Sequence, residues 1–270
     1  MNQFHRKSHE YKAIKRYWKL IQQDSRKLSD KRFYRPTFRM HLTNKEILDK
    51  ILSYSEDLSD EALVMLSDIL PTGYEIGVLK GKVEPGCSVA IIGSGPVGLA
   101  ALLTAQFYSP AKLIMVDLDD NRLDTAVSFG ATHKVNSSDP EKAIKEIYDL
   151  TDGRGVDVAI EAVGIPETFD FCQKIIGVDG TVANCGVHGK PVEFDLDKLW
   201  IRNINVTTGL VSTNTTPQLL KALESHKIEP EKLVTHYFKL SEIEKAYEVF
   251  SKAADHHAIK VIIENDISEA

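Results

Sequence analysis

The sequence predicts an α/β fold, a doubly wound six-stranded parallel sheet followed by a smaller tail. Three observations carry this. Apolar strand-like runs alternate with helical stretches of about 10–15 residues from Ser88 to Leu210, the pattern of a parallel sheet covered on both faces. A glycine turn, Gly93-Ser94-Gly95-Pro96-Val97-Gly98, joins the first apolar run to a helix of small and apolar residues. The next apolar run then ends in an acid, Asp117, 22 residues beyond Gly95.

These pieces form a strand (Val89–Ile92), the turn, a helix (Leu99–Phe107) and a second strand (Leu113–Val116). Gly93 permits the tight turn, Gly95 lets backbone N–H groups approach a pyrophosphate, and Gly98 allows helix and strand to pack closely. The phosphates then sit at the helix N-terminus, where unpaired N–H groups and the helix dipole favour anions. Gly93, Ser94, Gly95, Pro96, Val97 and Gly98 are therefore the candidate dinucleotide-binding turn of a Rossmann-type unit. Asp117 falls near the spacing of about 20 residues expected for the acid that binds the adenosine ribose. Its carboxylate accepts hydrogen bonds from free 2′ and 3′ hydroxyls and repels a 2′-phosphate, which favours NAD over NADP. Two other readings fit the same residues at this point. One is a glycine turn that merely packs a βαβ unit. The other is a methyltransferase, which also places an acid after its second strand.

The chain in order supports the same architecture. Residues 1–28 space Tyr11, Ile14, Trp18 and Ile21 by three and four, giving one apolar stripe on a basic helix. Such a helix docks on the protein's own core, or touches a membrane surface or nucleic acid. Residues 29–42 read as irregular, and Thr43–Ser53 as a helix with Thr43 and Glu46 as a capping box. Ser59 caps a helix through Leu66, and a second helix starts after Pro71 and runs to Leu79, with Asp68 interrupting the apolar stretch between them. Lys82–Gly86 turns into the first sheet strand. After Asp117 come a helix (Asp119–Phe129), a strand (His133–Asn136) and a helix (Pro140–Leu150) with proline in its first turn. A strand (Val156–Val163), a helix (Pro166 to about Ile176) and the strands Thr181–Gly186 and Asn205–Leu210 complete six strands. The tail holds a helix (Thr216–Ser225), a strand (Leu233–Leu240), a helix (Ser241–Ala254) and a last strand, Ala258–Glu264, which lies outside the six and needs a partner edge. The expected division is 1–53 (basic segment), 54–84 (connecting helices), 85–225 (dinucleotide-binding domain) and 226–270 (tail). The switch-point crevice gathers Gly93–Gly98, Asp117, Val163-Gly164, Gly186–His188 and Gly209–Val211 around one ligand. Glu161, on a buried-looking strand, either reaches a ribose or caps a neighbouring helix, and His188 is an incidental member of its loop.

Charge is uneven. Residues 1–53 carry 14 Lys/Arg against 5 Asp/Glu, so the net charge of −6 conceals a basic segment on an acidic remainder. That asymmetry admits a non-enzymatic NAD-binding interaction module with a basic arm. Cys87, Cys172 and Cys185 are far apart with no CxxC, which excludes a disulfide framework and a Cys₄ zinc site. No apolar run approaches the length of about 18 residues that spans a membrane, and the N-terminus lacks an apolar signal core. The expectation is a cytoplasmic protein without a membrane span.

From about Glu56 to Asn265 the chain resembles the C-terminal part of the zinc-dependent medium-chain alcohol dehydrogenases. The resemblance rests on SDILPTGYEIGVLKGKVEPG, VAIIGSGPVGLAAL, GATHKVN, LTDGRGVDVAIEAVG, ANCGVHGKP, LVTHYFKLSEIEKAYEVF and IKVII, in order. It displaces the methyltransferase reading, because CGVHG and the tail have no place in that fold. It implies that Gly93, Gly95 and Gly98 hold the pyrophosphate and that Asp117 selects NAD. It also implies that backbone groups near Val163, Val187 and Leu210 line the nicotinamide end. Asp68 falls where relatives resembling bacterial secondary alcohol dehydrogenases place an acidic ligand of the catalytic zinc. Subunits of the family pair their nucleotide-domain sheets edge to edge, which implies a homodimer or higher assembly through Asn205–Val211.

The departures concern zinc. About 55 residues precede the match, without a cysteine, where the family carries a longer domain with the zinc's Cys and His. A catalytic zinc takes three protein ligands and leaves one position open. His5, His9 and His41 offer no matching ligand set. Zinc lowers the pKa of a bound hydroxyl from about 16 to about 7, roughly 12 kcal/mol toward the alkoxide, and NAD alone does not replace that. The expectation is an NAD(H)-binding, alcohol dehydrogenase-like oxidoreductase of truncated or split form. A separate polypeptide would supply the zinc half, and a small alcohol or ketone would be the substrate if the protein is active.

Overall fold

A computed structural model describes residues 58–265. The basic helix, the Thr43 capping box, His5, His9 and His41 lie outside the described residues. Ser59 caps α1 (Asp60–Val64), its hydroxyl accepting from Ala62 N–H at 3.2 Å, and a 3₁₀ turn (Met65–Ser67) follows. The next helix, α2 (Ile69–Thr72), continues as π-helical turns through Gly73–Leu79. It begins before Pro71 rather than after it. Proline at the third helical position forfeits no bond, because the first four helical N–H groups have no intrahelical partner.

The sheet runs β1 (Ser88–Ile92), β2 (Lys112–Asp117), β3 (His133–Asn136), β4 (Val156–Glu161), β5 (Ile176–Asn184) and β6 (Asn205–Thr208), in spatial order β3-β2-β1-β4-β5-β6, all parallel. The crossovers are α3 (Pro96–Ala105), α4 (Asp120–Ser128), α5 (Pro140–Leu150), α6 (Pro166–Ile175) and a short α7 (Leu196–Leu199). Asp119 and Asp139 cap α4 and α5, accepting from Asn121 N–H and Lys142 N–H. Val89 of β1 stands between Leu113 and Val158. Alternation divides the core into two layers. Val89 and Ile91 join α1–α3 on one face, while Ala90 and Ile92 join α5 and α6 on the other. Helix α3 is buried from Gly98 to Ala105, which explains its apolar composition all round.

Two further differences from the sequence reading have local causes. β5 starts at Ile176, not Thr181. Gly177–Gly180 contains a turn-like residue, Asp179 at φ +60°, yet Ile176 still pairs with Val156 across a register shift. Helix α7 went unread because only Leu199 among its four residues is buried, too little to set a period. The tail adds α8 (Thr216–Glu224), β7 (Val234–Lys239), α9 (Ile243–Ser251) and β8 (Lys260–Glu264). The partner edge that β8 needs is β7, in a separate two-stranded parallel sheet. Among the described residues no single helix is long and apolar enough to cross a membrane.

Candidate functional site

β1 and β4 are neighbours whose connections leave in opposite directions, so the crevice opens at their carboxyl ends. The glycine turn sits there. Gly93 takes φ +101°, and its N–H donates to Val116 O at 2.8 Å. A Cβ at Gly98 would stand 1.8 Å from Gly93 O, so only glycine lets the turn close on its own helix. At Gly95 a Cβ would meet nothing within 4 Å, which leaves a clear face toward the crevice. Gly95 is the N-cap of α3 and offers no side-chain cap, so the first-turn N–H groups have no side-chain partner.

Asp117 ends β2 beside this turn. Its Oδ2 accepts from Ser94 N–H at 2.7 Å, and its Oδ1 accepts from Leu118 N–H at 2.8 Å and Asp119 N–H at 3.1 Å. Oδ2, with a single donor, keeps acceptor capacity for a hydroxyl. A cavity of about 570 Å³ opens beside the turn between Gly95, Pro96, Arg122, Phe250, Lys252 and Ile259. A larger hollow, about 1000 Å³, lies at the opposite, amino ends of β1, β4 and β6 and contains none of these residues.

On the other side of the switch point, Val163 follows β4, Val187 follows β5 and Leu210 follows β6. They are 46%, 92% and 82% exposed, apolar side chains left open at one end of the crevice. Two charged residues that the sequence reading passed over hold the third of these loops. Lys80 Nζ donates to Thr208 O at 2.7 Å. Glu75, buried in the π-helical turns, accepts from Ser212 N–H (2.7 Å) and Oγ (3.0 Å), and from Thr215 N–H (3.0 Å) and Oγ1 (2.9 Å). Burial works to raise the Glu75 pKa, but those four donors outweigh it and hold the carboxyl below the usual glutamate value. The signal available in sequence was an acid and a lysine inside an otherwise apolar helix.

Glu161 does not reach a ribose. It is fully buried, and its Oε1 accepts from Val163 N–H, Gly164 N–H and Thr168 Oγ1 at 2.7–2.9 Å. Nearby, burial and then the Glu161 charge push the Cys185 thiol up to about 12, so it is a neutral thiol at pH 7.

Zinc fits the described residues poorly. Asp68 lies at the N-cap position of α2, where its Oδ1 accepts from Thr72 Oγ1 at 3.1 Å and its charge acts on Lys260. Among the described residues no group of three or more His, Cys, Asp or Glu is arranged to hold a metal ion.

Comparison with known proteins places these features in a family. Residues 96–225 match the family described as zinc-binding dehydrogenase. A solved structure, the apo form of zinc dependent alcohol dehydrogenase 2 from Streptococcus pneumonia, superposes with a TM-score of 0.77 and is 96% identical, covering 80% of this chain and 61% of that one. The alcohol dehydrogenase of Cupriavidus necator is 30% identical over 204 residues, 74% of this chain and 55% of that protein. The NADP-dependent isopropanol dehydrogenase of Thermoanaerobacter brockii is 33% identical over 195 residues, 69% of this chain and 54% of that protein. The chain thus spans about half the length of the curated relatives it matches.

Proposed function

We propose, from the premise that this chain belongs to the zinc-binding dehydrogenase family, that it is an NAD(H)-binding, alcohol dehydrogenase-like oxidoreductase. The observation that carries this reading is the closed glycine turn with Asp117 bonded to it through Ser94 N–H. When bound, the cofactor supplies a nicotinamide carbon that takes a hydride from an alcohol or returns it to a ketone. The chain's own part is to grip and orient. Backbone N–H groups of Val97 and Gly98 face the pyrophosphate, Asp117 takes the adenosine ribose hydroxyls, and the loops of Val163, Val187 and Leu210 border the nicotinamide. Fluorescence titration with NADH tests this, and saturable binding is the expected result. A flat titration would remove the reading.

The choice of NAD over NADP rests on Asp117. Its carboxylate faces the ribose edge, and a 2′-phosphate there would meet a like charge. Asp117→Ala is expected to weaken NADH about tenfold, the loss of charge-assisted hydrogen bonds, while leaving NADPH unchanged or tighter. Tighter binding of NADPH than NADH by the unmutated protein would reverse the assignment.

Alcohol turnover needs zinc donors beyond Asp68, and these must come from outside residues 58–265, from this chain or from another polypeptide. We also infer a homodimer through the β6 edge, Asn205–Val211. Trp200 and Ile201, each 68% exposed, leave apolar surface beside it. Sedimentation is expected to give a dimer, and Trp200→Glu a monomer. A monomeric unmutated protein would exclude the assembly.

A further inference from the structure

Two loops that the proposed dinucleotide site sets at the nicotinamide end lie side by side, Ala162–Ile165 after β4 and Cys185–Gly189 after β5. They touch without room to spare. A Cβ at Gly164 would stand 2.7 Å from Val187 O, and one at Gly186 would stand 2.3 Å from both Gly164 N and Glu161 Oε2. Glu161 lies beneath both. One of its oxygens, Oε1, gathers Val163 N–H, Gly164 N–H and the Thr168 hydroxyl. The other, Oε2, faces the second loop, 3.4 Å from His188 Nε2.

His188 is itself packed inward. Nε2 lies 2.8 Å from Asn184 Oδ1, so two acceptors face that nitrogen and it carries the proton. Asn184 Nδ2 donates to Gly186 O at 2.8 Å, which closes the loop on itself, and the ring meets Phe169 edge-on at 6.0 Å. Among the described residues, neither Glu161 Oε2 nor His188 Nδ1 has a hydrogen-bond partner. The one Nε2 hydrogen lies between Asn184 Oδ1 and the buried Glu161 Oε2, so the carboxylate holds the His188 ring, and with it the second loop, toward the first. Nothing in the folding of the sheet requires it, since β4 and β5 already pair through Glu161 and Asn184 by their backbones.

We infer that Glu161, acting through His188, is a positioning residue for the nicotinamide half of the dinucleotide. It sets the spacing of the Val163 and Val187 loops and holds the second against the first. The inference rests on the dinucleotide reading above and adds a division of labour to it. The glycine turn and Asp117 hold the adenine half, and Glu161 holds the loops that meet the other half.

Two ligands separate the halves. NADH carries both, whereas ADP-ribose carries the adenosine, the pyrophosphate and the second ribose but no nicotinamide ring. Glu161→Gln keeps an oxygen for the three donors and replaces the charged oxygen facing His188. Calorimetric titration of the full chain is expected to show NADH weakened about tenfold and ADP-ribose changed less than about twofold, the loss of one charge-assisted contact confined to one end. His188→Leu, which keeps an apolar body against Phe169, is expected to repeat the selective loss, and it carries the comparison should Glu161→Gln not fold. Equal loss of both ligands, or no loss of either, would overturn the positioning role while leaving the dinucleotide reading standing. An unmutated chain that binds neither ligand would take down both.

Discussion

Gly95→Ala is expected to leave the protein folded and abolish at least nine-tenths of its NADH affinity, whereas Gly98→Ala is expected to lose both. The two glycines sit three residues apart in one turn, yet their surroundings are opposite. At Gly95, φ is −76° and an added Cβ meets no protein atom within 4 Å, so the backbone tolerates alanine. Alanine is a poorer N-cap than glycine, and the cost should stay within about 1 kcal/mol. The methyl group would project into the space through which the pyrophosphate must approach the helix N–H groups, and only binding suffers. At Gly98 the same methyl would sit 1.8 Å from Gly93 O and 3.0 Å from Gly93 C, both backbone atoms that cannot swing aside. Alanine's better helix propensity recovers about 1 kcal/mol. Overpacking against backbone costs about 3 kcal/mol or more, so the net is destabilising. Urea denaturation and NADH titration of both variants check the pair. A Gly95→Ala variant with unaltered NADH binding would put the pyrophosphate somewhere else.

What sequence made legible followed from burial on both faces. Strands β1, β2 and β4 are covered above and below, so they are written as continuous apolar runs bounded by glycine, proline and aspartate, and their neighbours in the sheet follow from connection rules. The glycine turn and Asp117 were readable because each occupies a backbone position that few residue types satisfy. Three features were not. Pro71 resembled a helix start, but proline serves equally at the third position, and nothing local distinguishes the two. Glu75 and Lys80 were visible as charges inside an apolar helix, but their partners lie 137 to 140 residues away for the acid and 128 for the lysine. No periodicity encodes a contact of that separation. Glu161 was visible as an acid at a strand tip. Whether it faced the crevice or the loops beneath depended on the course of the chain through Gly164 and Gly186, which the topology had to set first.

Glu75 supplies the largest expected effect of pH. Its carboxylate holds Ser212 and Thr215 by backbone and hydroxyl, and through them the stretch that follows Leu210. Burial alone would raise its pKa, and the donors from Ser212 and Thr215 bring it below the ordinary glutamate value instead. A carboxyl whose folded pKa is depressed contributes stability that is present above its unfolded pKa and is lost as pH falls through the folded value. At pH 7 the contribution is fully present, and the loss begins only below the ordinary glutamate pKa of about 4.3. Glu75→Ala removes the acceptor from four donors and leaves buried N–H groups unpaired, which is expected to cost about 3–5 kcal/mol at pH 7. Glu75→Gln keeps one acceptor oxygen and turns an amide N–H toward the other donors, so a cost of about 2–3 kcal/mol is expected. The diagnostic is the trend. The gap between Glu75→Gln and the unmutated protein should narrow as pH is lowered from 7 toward 3, because only the unmutated protein has a charge to lose at this position. Urea denaturation across that range measures it, with amide exchange at Ser212 and Thr215 reporting whether the loop opens with the lost bonds. A gap that stays constant with pH would mean that the four contacts act as shape alone and that the charge on Glu75 contributes nothing to holding the loop.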